Sequence, residues 1–246
     1  MIAAGLHRQP VPLNRDKHGR TALPLPVADW SAVGAINAVF LAAAEFGHAA
    51  SDYPIVFIKA GQDASGAADY APIAVFGLAA GENLYLDGPR WRATYLPMVM
   101  ALYPFCVSRL PDNRYAVCVD EGWAGFANDG AGQRLFGDDG EPTEFMRKMQ
   151  GELERLEGQV DQTRALGRRL AALDLLRERR FDATLPDGRK LSADGFFVVD
   201  EDRVRALPDA TVLELHREGV LAAIHAHWVS LGQMRRLVAW RAERAA

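Results

Sequence analysis

The sequence is short of the features that most often announce a function. Cysteine occurs only twice in 246 residues, too few for a disulfide framework. No run approaches the roughly 18 apolar residues needed to cross a bilayer. The most apolar stretch, Ala32 to Ala50, is broken by Asn37, Glu45 and His48. The first residues, Met1 to Arg8, contain no apolar stretch of secretory length. The expectation is a cytoplasmic protein without membrane insertion, with export by a route that reads no N-terminal signal left open. Positive charge is not in excess either: 28 Lys and Arg stand against 32 Asp and Glu, a net charge of −4. That balance removes the bulk field that would recommend nucleic acid as a partner. No internal repeat is visible.

The motifs of the common chemistries are missing as well. Gly130-Ala131-Gly132 lacks the third glycine of a dinucleotide fingerprint and follows no clear strand. Nothing matches a Walker loop, a nucleophile elbow or a zincin helix. The acidic, glycine-rich stretch 120–141 does not have the spacing of an EF-hand loop. No cofactor and no metal are expected.

What is present is an ordinary globular balance, 49% hydrophobic and 24% charged, enough to bury a core without staples. Residues 1–30 are rich in proline, with Pro24 and Pro26 at alternate positions, and read as an extended arm lying on the surface. Ala32 to Ala50 reads as a helix, because Ile36, Val39, Phe40, Ala43, Phe46 and Ala50 recur at three- and four-residue steps. Strand-like runs follow at Ile55–Ile58, Ile73–Phe76, Leu84–Leu86, Phe105–Val107 and Tyr115–Val119, with a short helix within Tyr95–Leu102. Cys106 and Cys118 flank the turn-like Leu110-Pro111-Asp112-Asn113 and are placed nearly opposite each other in a hairpin, either as two buried free thiols, which a reducing cytosol favours, or as a cross-strand disulfide.

Residues 120–141 read as a long loop or linker. Pro142 and Glu144 then start a long amphipathic helix with an apolar stripe at Met146, Met149, Leu153, Leu156 and Val160, interrupted at Thr163 and Gly167 and resumed at Leu170. Phe181 to Leu191 forms a small β element around Pro186-Asp187-Gly188, Phe196–Val199 a buried strand, and Pro208 onward the terminal helices, with a break at Gly219. The fold class is α+β: an antiparallel or mixed sheet with a flanking helix in the N-terminal half, a long amphipathic helix, then a small β element and C-terminal helices. The division is residues 1–140 for the sheet part and 141–246 for the helical part, either as two domains or as one integrated domain.

Ordered fragments along the chain resemble the SapC family. They include Ala43-Ala44-Glu45-Phe46, Tyr53-Pro54-Ile55-Val56-Phe57, Gly81-Glu82-Asn83-Leu84-Tyr85, Trp91, Tyr95-Leu96-Pro97 and Tyr103-Pro104-Phe105. Asp120-Glu121, Leu135-Phe136, Asp139-Gly140-Glu141-Pro142, Gly195-Phe196-Phe197-Val198-Val199-Asp200-Glu201 and His227-Trp228-Val229-Ser230-Leu231 continue the series. Leu102 departs from the pattern, which has Arg before Tyr-Pro-Phe. The resemblance carries no agreed catalytic residue or cofactor. It implies a link to a bacterial surface layer or envelope, and an accessory role beside sugar- or nutrient-uptake and flavin-halogenase-like proteins.

Few residues remain as site candidates. Glu45 and His48, three apart on a helix, are adjacent and form either an acid–base pair or a surface ion pair. Asp52 lies just beyond them. His227 sits on an apolar helical stripe, as a hydrogen-bonded core residue or a ligand. His225 points roughly 200° away from His227 and cannot share an ion with it. These four, Glu45, His48, Asp52 and His227, are the catalytic candidates. Tyr85, Trp91, Trp123, Asp120 and Glu121 are the binding candidates: aromatic rings in or near loops, and carboxylates at a strand end. The composite expectation is a non-catalytic accessory or interaction protein with a protein partner or self-association. The alternative is a small-molecule binder or enzyme with an unfamiliar polar site.

Overall fold

A computed structural model of the protein describes residues 1–3, 5–62, 66, 68–110, 114–126, 132–185 and 188–244. The expected turn residues Pro111 to Asn113, the Gly130-Ala131 pair and Pro186-Asp187 lie outside the described residues. In chain order the elements are β1 (Pro10–Pro12), α1 (Arg15–His18), β2 (Ala22–Leu23), β3 (Ala38–Phe40), α2 (Phe46–Ala49), β4 (Ile55–Gln62) and β5 (Ala68–Val75). There follow β6 (Leu86–Asp87), β7 (Arg90–Trp91), α3 (Met98–Ala101), β8 (Phe105–Arg109), β9 (Tyr115–Asp120), β10 (Gln133–Arg134) and α4 (Glu144–Ala172). The chain closes with β11 (Leu176–Thr184), β12 (Lys190–Val199), α5 (Glu201–Arg205), α6 (Asp209–Arg217), α7 (Val220–Ser230) and α8 (Met234–Glu243). The architecture is α+β.

The chain folds as two compact units. The first comprises Met1–Val33, Asp87–Trp91 and Met98–Gly158, and the second Gly34–Leu86, Arg92–Pro97 and Gln159–Ala246.

In the first unit β9 lies between β1 and β8 in an antiparallel sheet, and β10 pairs with β2. β1 reads Pro-Val-Pro and occupies an edge, where a missing N–H breaks no ladder. Residues 1–30 are nonetheless not a surface arm. They supply two strands, β1 and β2, the short helix α1, and buried Leu6, His7, His18, Leu23 and Trp30. Among the described residues of 120–141, which read as a long loop or linker, Asp120 closes β9, Gln133–Arg134 form β10, and Leu135 and Phe136 are buried. α4 starts at Glu144, two residues later than Pro142 at the first helical position would place it. Thr143 Oγ1 accepts from the Met146 amide at 3.3 Å, which makes Thr143 the N-cap.

In the second unit the strand order is β11-β12-β4-β5-β3, antiparallel throughout. The hairpin β11–β12, with strands of 9 and 10 residues, is therefore a third to a half of the main sheet rather than a small separate element. Ala32 to Ala50 is not one helix. A short 3-10 turn, Ser31–Val33, opens the stretch; Val39 is then buried from β3, where it pairs with Ala74 of β5, and helical turns resume only at Ala43. The reason is local: Glu45 Oε2 accepts from the Ala42 amide at 2.8 Å, a carboxylate turned back on the first turn that fixes the helix start there.

Thr163 and Gly167 do not interrupt α4. Thr163 is buried; its hydroxyl donates to Gln159 O at 2.6 Å and accepts from the Ala43 amide at 2.9 Å. A Cβ at Gly167 would stand 2.2 Å from the carbonyl oxygen of Tyr70, so glycine permits close packing of α4 on β5.

Candidate functional site

The sequence candidates separate into three environments. In the second unit, Glu45, His48, Asp52 and Tyr85 gather around Tyr95. The Tyr95 hydroxyl donates to Glu45 Oε1 at 2.8 Å, and its amide donates to Asp52 Oδ2 at 2.8 Å. Its carbonyl accepts from the Tyr53 hydroxyl, and its ring stacks on exposed His48 with centroids 5.8 Å apart. The Tyr85 hydroxyl donates to the Asp52 carbonyl, and Arg236 Nη1 donates to the same oxygen at 3.3 Å. Burial pushes the Tyr85 phenol well above its ordinary range, so it stays a donor at neutral pH. Tyr95 was visible in the sequence only inside the Tyr95-Leu96-Pro97 fragment of the family resemblance; nothing in its local spacing marks it as a hub.

The basic end of the chain docks on the same region instead of merely complementing a helix dipole. Arg241 pairs with Glu82, and Arg244 donates to Asn83 O and Leu86 O at 2.7 Å each. Trp240 meets Tyr85 edge-on at 5.0 Å, with the Arg92 guanidinium 4.3 Å from its ring centroid.

His227 lies elsewhere in the second unit and has a different job. The register Phe197↔Phe57 would place Val199 opposite Ile55, but the strands diverge there and the imidazole fills the gap. The Val199 amide donates to Nε2 at 3.1 Å, and Nδ1 donates to Ile55 O at 2.8 Å. Burial lowers its pKa to about 4, so the ring is neutral and carries its proton on Nδ1. Both nitrogens are occupied by backbone. His225, two residues away, is exposed.

In the first unit, buried Asp120 accepts from the amides of Arg8, Gln9 and Gly122 at 3.1, 2.6 and 3.1 Å, and from the Tyr103 hydroxyl at 3.0 Å. It is a hub that ties the N-terminal strand to the end of β9. Glu121 accepts from Lys17 and from His18 Nε2, at 2.9 Å for the latter; these bonds hold its carboxyl below the usual range. Trp123 is buried beside Tyr103, centroids 6.0 Å apart, and Trp91 is half-buried beside Trp30 at 6.3 Å. Among the described residues no group of three or more His, Cys, Asp or Glu side chains is placed to hold a metal ion.

The second unit also carries a groove of about 710 Å³ where α2, the C-terminal half of α4 and α7 meet. Ala43, Ala44, Gly47, Ala222, Ala223 and Ala226 give it a floor of small side chains, with Gln159, Gln162 and the Arg169–Glu218 ion pair at 3.3 Å supplying the polar groups. Sequence reasoning missed this feature because alanines on three elements distant in sequence have no pattern in common. One signal was present: Val220 to Ser230 contains no Asp, Glu, Lys or Arg. A helix without Asp, Glu, Lys or Arg is ordinarily enclosed. α7 is not, since Ala222 is exposed and Val229 is 68% exposed.

An α+β protein with saturated polar hubs and an open groove floored by small side chains is the class that fold and geometry define. The SapC family model matches residues 13–237, and the chain belongs to the SapC family. No curated protein and no solved structure matches it. No described helix is long and apolar enough to cross a membrane.

Proposed function

We propose that this SapC-family chain is a non-catalytic accessory protein that holds a protein partner on the outer face of α7 and in the adjoining groove. The reading sets it to work from the cytoplasm in a bacterial envelope, surface-layer or nutrient-uptake pathway. The observation that carries it is the exposure of Ala222 and Val229 on a helix without a single charged side chain, continuous with the alanine floor. Small residues let a partner's backbone approach closely, the geometry of a helix laid in a groove. Family membership supports the pathway. The carboxylates and His227 support the non-catalytic part, because each is engaged by backbone or by a neighbouring side chain.

A second reading rests on the same groove. Its volume falls within the roughly 300–1,000 Å³ of small-molecule sites, and the Gln159 and Gln162 amides offer donors and acceptors suited to a sugar or metabolite.

The test uses Val229→Asp and Ala222→Glu, both at exposed positions. Sedimentation velocity and tagged recovery from the native source should show self-association or recovery of one specific partner, weakened about tenfold or more by either change. Native mass spectrometry of the wild-type chain reads the second possibility as a retained ligand. An unchanged sedimentation profile together with an unchanged recovered set would sink the partner reading.

A further inference from the structure

Cys106 on β8 and Cys118 on β9 are direct register partners, and both are buried and free. The flanking bonds define the kind of pair. The Asp120 amide donates to Pro104 O at 2.9 Å, and the Leu110 amide donates to Arg114 O at 2.8 Å. Hydrogen-bonded pairs alternate along an antiparallel ladder, so Cys106 and Cys118 also form one, with Cα atoms about 5.5 Å apart. That separation falls inside the roughly 4.4–6.8 Å a disulfide accepts. Residues in register send their side chains to the same face of a sheet, and the Cys118 thiol there donates to the Ala116 carbonyl at 3.7 Å. Each thiol perturbs the other: Cys106 alongside draws the Cys118 thiol down, while Cys118 and burial push Cys106 up. Cys118 is therefore the readier of the two to ionise and attack, and Cys106 is the resolving thiol.

We propose that Cys106 and Cys118 form a reversible thiol–disulfide switch that takes a hydroperoxide as its oxidant and locks β8 to β9. The Cys118 thiolate attacks the peroxide O–O bond; an S–O bond forms and hydroxide leaves, giving a sulfenic acid. The Cys106 sulfur attacks that sulfur; the S–S bond forms, the S–O bond breaks, and the departing oxygen leaves as water with the Cys106 proton. Overall, two thiols and one hydrogen peroxide give one disulfide and two waters, the sulfurs losing the two electrons the peroxide gains. Hydrogen peroxide is close to water in size, and it reaches the two buried sulfurs when β8, an edge strand of its sheet, opens locally. The lock tightens the hairpin whose last residue is Asp120, the hub that holds the amides of Arg8 and Gln9.

The experiment treats the reduced full chain with hydrogen peroxide and maps the products without reduction. The intact mass should fall by two hydrogens, both titratable thiols should vanish, and a Cys106–Cys118 peptide pair should appear and revert with dithiothreitol. Cys106→Ser should accumulate a dimedone-reactive sulfenic acid at Cys118, and Cys118→Ser should label about tenfold more slowly or less. Thiols that persist at peroxide levels that fully oxidise free cysteine would overturn the proposal. So would oxidation that stops at sulfinic acid, or a disulfide formed only between chains. The wild-type readout needs no variant, so a serine variant that fails to fold leaves the test intact.

Discussion

Tyr95 donates its hydroxyl to the buried carboxylate of Glu45 at 2.8 Å, and through that bond the segment before α3 is held to the first turn ahead of α2. Glu45 also closes that turn through the Ala42 amide. Tyr95→Phe removes a hydrogen bond to a buried carboxylate, so stability should fall by about 1–3 kcal/mol. The urea midpoint should drop with no change in the slope. An unchanged midpoint would show that the hydroxyl is dispensable.

His227 makes stability depend on pH with a defined sign. Its folded pKa is about 4 and its unfolded value 6.5. Between these values the unfolded chain binds more protons, so stability is fully present above about 6.5 and is lost as pH falls toward 4. The loss should run at up to about 1.4 kcal/mol per pH unit. Burial lowers the His7 pKa too, and acts in the same direction. His227→Phe should flatten this slope while destabilising the chain at pH 7, because the Val199 amide and Ile55 carbonyl lose their partners. Urea midpoints from pH 4 to 8 report both effects.

Asp120 serves four donors at once. Asp120→Ala should cost about 3 kcal/mol or more, and Tyr103→Phe, which removes one of the four, only about 1 kcal/mol. Thermal melts of the two variants separate the hub from its single spoke.

Two glycines of α4 should respond to alanine with opposite signs. Gly158 has nothing within 4 Å of an added Cβ, so Gly158→Ala should stabilise by about 0.5–1 kcal/mol through helix propensity alone. At Gly167 the Cβ would collide with Tyr70 O, and Gly167→Ala should destabilise by about 1–3 kcal/mol. The same sign at both positions would refute the packing of α4 on β5.

These contrasts show what the sequence could and could not reveal. The β4, β5, β8 and β9 strands were legible because β-branched and aromatic residues cluster in short runs between turn formers. The opposition of Cys106 and Cys118 followed from a short connection between two such runs. Ala32 to Ala50 misled because alanine fits either period, so the three- and four-residue spacing of Val39 and Phe40 carried weight it did not have. The Tyr95 hub was hidden for a different reason. Glu45, Asp52 and Tyr95 lie up to fifty positions apart, and only tertiary folding brings them together. His227 was correctly placed on a buried helical face, but helix periodicity says nothing about a gap in a neighbouring sheet.

That gap has a consequence for how the molecule breathes. The splice between β4 and β12 is a heterocycle lent by α7, acceptor on one side and donor on the other. Only a neutral ring in one tautomer can serve it. The Val199 amide, though it belongs to a strand, should therefore exchange its hydrogen whenever α7 lifts and not when the sheet frays, which makes one proton in the sheet a gauge of how firmly that helix is seated.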